Sequence, residues 1–111
     1  MEYEERPWGN YQVLYDGDEC KVKKIVVNPG ESPSYQMHYK RSENWIIVSG
    51  QATARLNDKL VDLKAGESIY IPAESKHTII NNSKEPLVFV EVQTGTYFGE
   101  DDIVRLEDKY G

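Results

Sequence analysis

The chain alternates short apolar runs with polar turns, a pattern that predicts strands rather than helices. No window of a dozen residues keeps apolar side chains at i, i+3, i+4 and i+7 without Gly or Pro, whereas β-branched and aromatic runs recur throughout. Ala52, Ala54 and Leu56 alternate with polar residues before an Asn-Asp turn, which is typical of a hairpin. The predicted strands cover residues 11–15, 20–27, 45–48, 51–56, 59–63, 68–71, 77–81 and 87–93.

Tight turns rich in Gly, Pro, Asn and Asp separate these strands. Eight or so short strands joined in this way favour a β-barrel or a two-sheet sandwich. With 111 residues the chain has room for one domain. We therefore predict a single domain at 1–111, with an N-terminal strand or arm at 1–15 and a polar C-terminal tail or short turn at 99–111.

The charge balance and the apolar runs exclude several classes of partner. Lys and Arg number 13 against 19 Asp and Glu, a net charge of −6 that argues against a nucleic-acid partner. The longest apolar runs, at 45–48 and 87–90, are far shorter than the ~20 residues of a membrane helix, and residues 1–5 lack the regions of a signal peptide. We expect no membrane partner and a soluble, cytoplasmic protein.

The candidate chemistry is that of a metal site without thiolate. Cys20 is the single cysteine, so one chain cannot assemble a thiolate cluster. If the segment around His38 is extended, Gln36 and His38 project from one face, and Glu43 returns to it after a bend. His77 follows a later Pro-containing turn. One amide oxygen, one carboxylate and two imidazoles could hold Zn²⁺, and also Fe²⁺, Mn²⁺, Co²⁺ or Ni²⁺.

The spacing of these residues resembles the two motifs of the cupin family. The first reads Gly, five residues, His-x-His, three or four residues, Glu, six residues, Gly; the second reads Gly, five residues, Pro-x-Gly, two residues, His, three residues, Asn. Gln36 replaces the first His, and Glu74 replaces the Gly of the second motif. The resemblance implies an all-β, single-domain cupin β-barrel, a double-stranded β-helix of jelly-roll type. The positions that fit are Gly30, His38, Glu43, Gly50, Gly66, Pro72, His77 and Asn81.

A narrower resemblance covers almost the whole chain and is to the C-terminal domain of type II phosphomannose isomerase/mannose-1-phosphate guanylyltransferase proteins. Lys40 and Asn44 depart from it, since that family usually has His at both positions. The resemblance implies a metal-dependent isomerase that interconverts mannose 6-phosphate and fructose 6-phosphate, with zinc as its metal, and a homodimer. The matching segments are 6–9, 36–38, 41–45, 48–50, 70–73, 76–77, 91–93 and 99–105.

Such an isomerisation needs a proton shuttle and a phosphate clamp, because negative charge develops on a sugar oxygen. Lys40 and Glu91 are the candidate bases, and Lys40 is better suited to act as a cation for the phosphate or the enediolate. Arg6, Arg41 and Arg105 are candidates for phosphate recognition, and Arg105 is also counted as a candidate catalytic residue. The predicted metal ligands are Gln36, His38, Glu43 and His77.

Two other functions stay open at this point. A non-catalytic cupin that binds a sugar or sugar phosphate through the same metal is favoured by Lys40. A cupin oxygenase is disfavoured by Gln36, because cupin oxygenases more often present three imidazoles to iron.

Overall fold

The computed structural model describes residues 2–108 as two antiparallel β-sheets packed face to face, which confirms the all-β prediction. The six-stranded sheet has the order β1-β2-β3-β10-β5-β8, and the five-stranded sheet has the order β11-β4-β9-β6-β7. None of the described residues forms a helix long and apolar enough to cross a membrane. The strands are β1 (Tyr3–Arg6), β2 (Gly9–Asp16), β3 (Cys20–Val27), β4 (Tyr35–Met37), β5 (Arg41–Ser49), β6 (Gln51–Leu56), β7 (Lys59–Lys64), β8 (Ser68–Ile71), β9 (His77–Ile80), β10 (Leu87–Gly95) and β11 (Val104–Glu107).

The start of β5 and the C-terminal segment differ from those predicted. β5 begins at Arg41 rather than at Trp45, because its polar first residues pair with β10. The N-terminal segment, predicted as a strand or arm, forms β1 and β2, which pair with each other. Residues 104–107 form β11 against β4, so the predicted polar tail is wrong there. The last part of that tail, 109–111, lies outside the described residues.

An apolar core fills one half of the space between the sheets. Val27, Ala54 and Leu87 are fully buried. Burying a large aliphatic or aromatic side chain contributes roughly 1.5–3 kcal/mol, so this half holds most of the hydrophobic stabilisation. The core consists of Tyr11, Val13, Ile25, Val27, Trp45, Ile47, Ala52, Ala54, Leu63, Ile71, Ile79, Leu87 and Phe89.

Three neighbouring strands change from apolar to polar along their inward faces. On β10, Leu87 and Phe89 point inward at one end, and polar residues take the next inward positions. The register aligns the same change on β3 and β5, which flank β10. The barrel therefore has an apolar half and a polar half. The inward residues of the polar half are Lys21 and Lys23 on β3, Glu91 and Gln93 on β10, and Arg41 and Glu43 on β5.

Gly95 allows β10 to lie against the start of β5. Its φ is +145°, and a Cβ at this position would lie 2.2 Å from the carbonyl oxygen of Lys40. A backbone oxygen cannot move aside as the end of a side chain can, so the register that places Gly95 opposite Arg41 requires glycine. This close approach positions Arg41 within the polar half.

Candidate metal centre

The polar half of the barrel opens into a cavity of about 190 Å³. Strands of both sheets line it, with β2, β3, β5 and β10 on one side and β4 and β9 on the other. The lining contains every site residue predicted from the sequence except Lys40, namely Arg6, Gln36, His38, Arg41, Glu43, His77, Glu91 and Arg105.

Two imidazoles and one carboxylate converge in this cavity. Glu43 Oε2 lies 3.4 Å from His38 Nε2, and Glu43 Oε1 lies 3.8 Å from His77 Nε2. All three residues are buried, and each offers a ligand atom within 4.8 Å of the other two. The residues come from β5, from the chain after β4 and from the start of β9, so the trio requires both sheets.

Backbone carbonyl groups fix the tautomer of both imidazoles. His38 Nδ1 lies 2.7 Å from the carbonyl oxygen of Asp102, and His77 Nδ1 lies 3.0 Å from that of Ser75. Because a carbonyl oxygen can only accept, each Nδ1 carries the hydrogen and each Nε2 keeps its lone pair on the side of Glu43. Two lone pairs and a carboxylate repel one another unless a cation lies among them. Metal-binding histidines are commonly held by a carbonyl in this way.

The protonation states also suit a cation. Burial, followed by the positive charge of Arg41, lowers the pKa of His38 to about 4. Burial likewise lowers the pKa of His77. Both imidazoles are therefore neutral near pH 7, which is the form that binds a divalent metal.

Arg41 contacts the same ligand atoms. Its Nε and Nη2 atoms both lie 2.9 Å from Glu43 Oε2, and Nη2 lies 3.1 Å from His38 Nε2. Its Nη1 atom is buried without a hydrogen-bond partner among residues 2–108. The guanidinium thus balances the charge of Glu43, and a divalent cation at the trio would compete with it for Glu43 Oε2 and His38 Nε2.

The donor set fits a divalent cation of the zinc type, since it offers neutral imidazole nitrogens and a carboxylate oxygen. Gln36 lines the cavity and pairs in register with His77. Its Nε2 donates to the carbonyl oxygen of Ser34 at 3.3 Å, so its Oε1 is the atom available to a metal. Gln36 stays a predicted fourth ligand.

A second buried carboxyl group, that of Glu91, adjoins the trio. Trp45 Nε1 donates to Glu43 Oε1 at 2.9 Å and to Glu91 Oε1 at 3.2 Å, so one indole links the two carboxyl groups. Gln93 Nε2 donates to Glu91 Oε2 at 2.8 Å. Burial, followed by the negative charge of Glu43, raises the pKa of Glu91 to about 7. Glu91 can therefore hold and release a proton near neutral pH.

Arg6 and Arg105 are exposed residues of the cavity lining. Arg6 pairs with Glu4 at 3.1 Å, and Arg105 lies on β11 in register with Gln36. Both are in reach of a ligand in the cavity, as the sequence predicted, and their roles stay predictions.

Lys40 lies outside the cavity lining, contrary to the role predicted for it. Its backbone N–H donates to Asp102 Oδ2 at 2.9 Å, and its ammonium lies 5.3 Å from the centre of the Tyr97 ring. The bend before β5 turns this exposed side chain away from the cavity, and the inward position falls to Arg41. The structure therefore does not bring Lys40 to the site as a base or as a phosphate ligand.

Several residues of the site were not predicted from the sequence. Lys21 and Lys23 are buried on the inward face of β3, and the carboxylate of Glu100 binds both. Asp102 supplies the carbonyl that holds His38. One signal for the lysines was available before the structure, namely the alternation that places both of them on the face of Ile25.

Comparison with known proteins identifies the family of the chain. Residues 2–108 match the family described as mannose-6-phosphate isomerase C-terminal. The chain belongs to this family. The match covers the whole described region, including both halves of the barrel, and it confirms the resemblance seen in the sequence.

Relatives of the mannose-6-phosphate isomerase C-terminal domain are found in polysaccharide biosynthesis. The chain is 46% identical to the mannose-1-phosphate guanylyltransferase ManC of Salmonella typhimurium and 50% identical to the alginate biosynthesis protein AlgA of Pseudomonas aeruginosa. Each comparison spans 106 residues, 96% of this chain and 22% of the relative. The chain thus spans about a fifth of the length of the relatives it matches.

Solved structures confirm the fold of this mannose-6-phosphate isomerase C-terminal domain. A double-stranded β-helix protein from Klebsiella pneumoniae superposes with a TM-score of 0.76 at 24% identity, over 86% of this chain and 77% of that one. The capsular polysaccharide assembling protein CapF of Staphylococcus aureus gives 0.81 at 20% identity, over 95% and 31%. These likenesses establish the cupin architecture predicted from the two motifs.

The relatives overturn the expectation of a self-contained mannose-6-phosphate isomerase. The proteins that share close to half of the residues of this mannose-6-phosphate isomerase C-terminal domain are named as guanylyltransferases and polysaccharide biosynthesis proteins, and the match occupies a minor part of each. Assigning an isomerase activity to the barrel by itself was therefore wrong. The coarser statement holds, since the chain has relatives that are enzymes of sugar-phosphate metabolism.

Proposed function

We propose that this chain is the cation-binding, sugar-phosphate-binding barrel of a larger protein that prepares activated mannose for polysaccharide synthesis. Three names among its relatives support this role: a mannose-1-phosphate guanylyltransferase, an alginate biosynthesis protein and a xanthan biosynthesis protein. The ligand we propose is a mannose phosphate, and the compartment is the cytoplasm, where sugar nucleotides are made.

One observation carries this proposal. Two imidazoles, each held by a backbone carbonyl, point their lone pairs at one buried carboxylate inside a cavity of about 190 Å³. His38, Glu43 and His77 would hold the cation, with Gln36 as the fourth ligand, and Zn²⁺ is our first choice of metal. When bound, such an ion stabilises negative charge on a sugar oxygen.

The residues around the trio supply the other parts of a sugar-phosphate site. The buried Nη1 of Arg41 is an N–H donor without a partner in the described chain, and an anionic ligand would satisfy it. Glu91 can exchange a proton with a sugar hydroxyl near neutral pH. The walls of Tyr11, Trp45 and Phe89 exclude water from one side of the cavity.

Isothermal titration of the 111-residue chain with mannose 1-phosphate and mannose 6-phosphate, in the presence of Zn²⁺ or Co²⁺, tests the proposal. We expect a mannose phosphate to bind and the metal to bind at close to one ion per chain. His77→Ala should abolish metal binding and weaken sugar-phosphate binding at least tenfold, with Glu85→Ala, an exposed residue, as the control. A folded, metal-loaded chain that binds neither mannose phosphate would overturn the proposal.

The homodimer implied by the sequence resemblance remains part of this proposal. Ile46, Val48 and Tyr70 are exposed on the outer face of the six-stranded sheet and offer an apolar surface to a second copy. Sedimentation velocity of the chain and of Ile46→Lys should give a dimer and a monomer, respectively. A monomeric chain at high micromolar concentration contradicts it.

A further inference from the structure

Two lysines are buried at the polar end of the barrel, next to the proposed metal site. Lys21 is 7% exposed and Lys23 is 4% exposed, although lysine is among the side chains least often buried. Lys23 lines the cavity, and it lies in register beside Glu91, with its ammonium 4.2 Å from the centre of the Tyr11 ring. Burying two ammonium groups is costly unless an anion compensates them.

The anion that compensates them is a side chain from another part of the chain. Glu100 Oε1 is hydrogen-bonded to Lys23 Nζ and lies 3.7 Å from Lys21 Nζ. Burial alone would raise the pKa of Glu100, but Lys23, Arg41 and Lys21 together hold it below its ordinary value. Three cations therefore act on a single carboxylate at this point of the cavity.

Glu100 is not fixed in place as the lysines are. Its side chain is 49% exposed, whereas those of Lys21 and Lys23 are 9% and 5% exposed. It belongs to the irregular segment between β10 and β11, so rotation of its side chain toward solvent requires no change in either sheet. The two lysines are thus held in place by burial, whereas the carboxylate of Glu100 can leave them by rotating toward solvent.

We propose that Lys21, Lys23 and Arg41 form a subsite for a phosphate group, and that Glu100 occupies this subsite as an internal anion until a phosphorylated ligand displaces it. This inference rests on the proposed function, because it names the group of the ligand that these residues bind. A phosphate monoester carries about −1.5 to −2 at pH 7 and matches two ammonium groups better than one carboxylate does. Arg41 Nη1 supplies a further donor.

The buried lysines are better suited to this task than the arginines of the cavity mouth. Arg6 is exposed and already paired with Glu4, and contacts of this kind contribute little because water screens them. The attraction between a phosphate and a buried ammonium is screened far less. Lys23 lies in register with Glu91 and lines the same cavity as the metal trio, so a phosphate bound at Lys23 would direct its sugar into that cavity.

Three variants of the 111-residue chain test the subsite. Lys23→Gln removes a buried cation, and Lys24→Gln removes the adjacent exposed cation on the outer face of the same strand. Glu100→Gln keeps the size of the internal anion and removes its charge. The probes are inorganic phosphate, mannose 6-phosphate and mannose, with affinities measured by calorimetry and ³¹P NMR.

We expect Lys23→Gln to weaken binding of inorganic phosphate and mannose 6-phosphate at least tenfold, with Lys24→Gln within twofold of the parent chain. Glu100→Gln should tighten both at least threefold, because it removes the competitor, and should leave binding of mannose unchanged. Equal affinities for Lys23→Gln and Lys24→Gln, or weaker phosphate binding by Glu100→Gln, would overturn the inference.

Two further outcomes separate the inference from the proposed function. If the parent chain binds inorganic phosphate with these variant effects but binds no mannose phosphate, the subsite stands and the proposed function fails. If mannose 6-phosphate binds and neither variant alters it, the proposed function stands and the subsite fails. If Lys23→Gln does not fold, as judged by circular dichroism, the phosphate affinity of Glu100→Gln decides the matter. Tighter phosphate binding supports Glu100 as an internal anion, whereas weaker binding supports a purely structural role of Glu100 and overturns the inference.

Discussion

Arg41 is the residue on which the electrostatics of the site depend. Its guanidinium lies 2.9 Å from Glu43 Oε2 and 3.1 Å from His38 Nε2, the two atoms that a metal ion would need. A guanidinium repels each unit of positive charge about 4 Å away by roughly 4 kcal/mol at the effective dielectric of a protein surface. Arg41 therefore stabilises the metal-free chain and weakens metal binding at the trio.

Arg41→Gln should therefore bind Co²⁺ at least tenfold more tightly than the parent chain, as measured by titration of the cobalt absorption. The same substitution should lower the unfolding free energy of the metal-free chain by about 3–5 kcal/mol, because Glu43 loses its buried partner. Arg55→Gln, which removes a charge from a surface ion pair, is the control. Unchanged cobalt affinity in Arg41→Gln would show that the guanidinium does not compete.

The pH dependence of stability should report Glu91. Its pKa rises from 4.5 to about 7 on folding, so the unfolded chain releases this proton first and folding loses stability as pH increases from about 4.5 to 7. His38 acts in the opposite sense, because its pKa falls from 6.5 to about 4 on folding. Its contribution to stability therefore increases as pH rises from about 4 to 6.5. A comparison with Glu91→Gln leaves in place burial and the charge of Arg41, which are the main causes of the His38 shift, so most of the His38 contribution is common to both chains.

Urea unfolding of the metal-free chains between about pH 5 and pH 8 should show the parent losing stability relative to Glu91→Gln as pH rises. The change is at most on the order of 3 kcal/mol, from the size of the pKa shift. A difference between the two chains that is independent of pH would contradict the assignment.

The residues of the metal trio could be predicted from the sequence, whereas the lysine pair could not. The motifs that contain His38, Glu43 and His77 can be recognised from residue spacing without knowledge of the fold. Lys21 and Lys23 share one face of β3 with two apolar residues, while Val22 and Val26 share the opposite face with Lys24. A count of apolar residues therefore predicts that the face of Val22 and Val26 is buried, which is wrong. The pairing of β3 with β10 decides which face points inward.

At the scale of elements, the turn between β8 and β9 stores strain. Glu74 has a φ of +66°, a left-handed conformation that costs a non-glycine residue roughly 1–2 kcal/mol. Its backbone N–H donates to the carbonyl oxygen of His38 at 2.7 Å, so this turn links the two motifs that carry the metal ligands. The position is the one at which cupin motifs place glycine.

Glu74→Gly should raise the unfolding free energy by up to about 1 kcal/mol, since glycine adopts this φ freely and the turn is retained. The control is Glu85→Gly, at an exposed position whose φ is not positive, which should be neutral or destabilising. Chemical denaturation of the three chains measures both effects. Destabilisation by Glu74→Gly would show that the Glu74 side chain contributes more than its backbone strain costs.

Elements were predictable where the alternation of apolar and polar residues was strong. The hairpin of β6 and β7 was predicted, and its turn residues Asn57 and Asp58 both have positive φ, as a tight hairpin turn requires. β1 was predicted only as part of an N-terminal strand or arm, and β11 was predicted as a polar tail, because both are four residues long, largely exposed and rich in charge. Their structure depends on the strands they pair with, and a sequence pattern does not show that.

At the scale of the whole molecule, the metal should stabilise the fold measurably. A ligand at about 100 times its Kd adds about 2.7 kcal/mol to the stability of a protein that binds it only when folded. For a chain of this size, that corresponds to an increase in Tm on the order of 10 °C. Calorimetry with Zn²⁺ should show this increase for the parent chain and not for His77→Ala. An equal increase in both would place the metal elsewhere.

The hydrogen bond from His38 to Asp102 joins residues that are 64 positions apart. The pairing of β10 with β3 and β5 likewise brings together segments from distant parts of the chain. Contacts of this kind form late, because a long loop must close before they are gained. Metal binding at the trio should therefore follow the docking of the two sheets, because His38, Glu43 and His77 lie on segments of both.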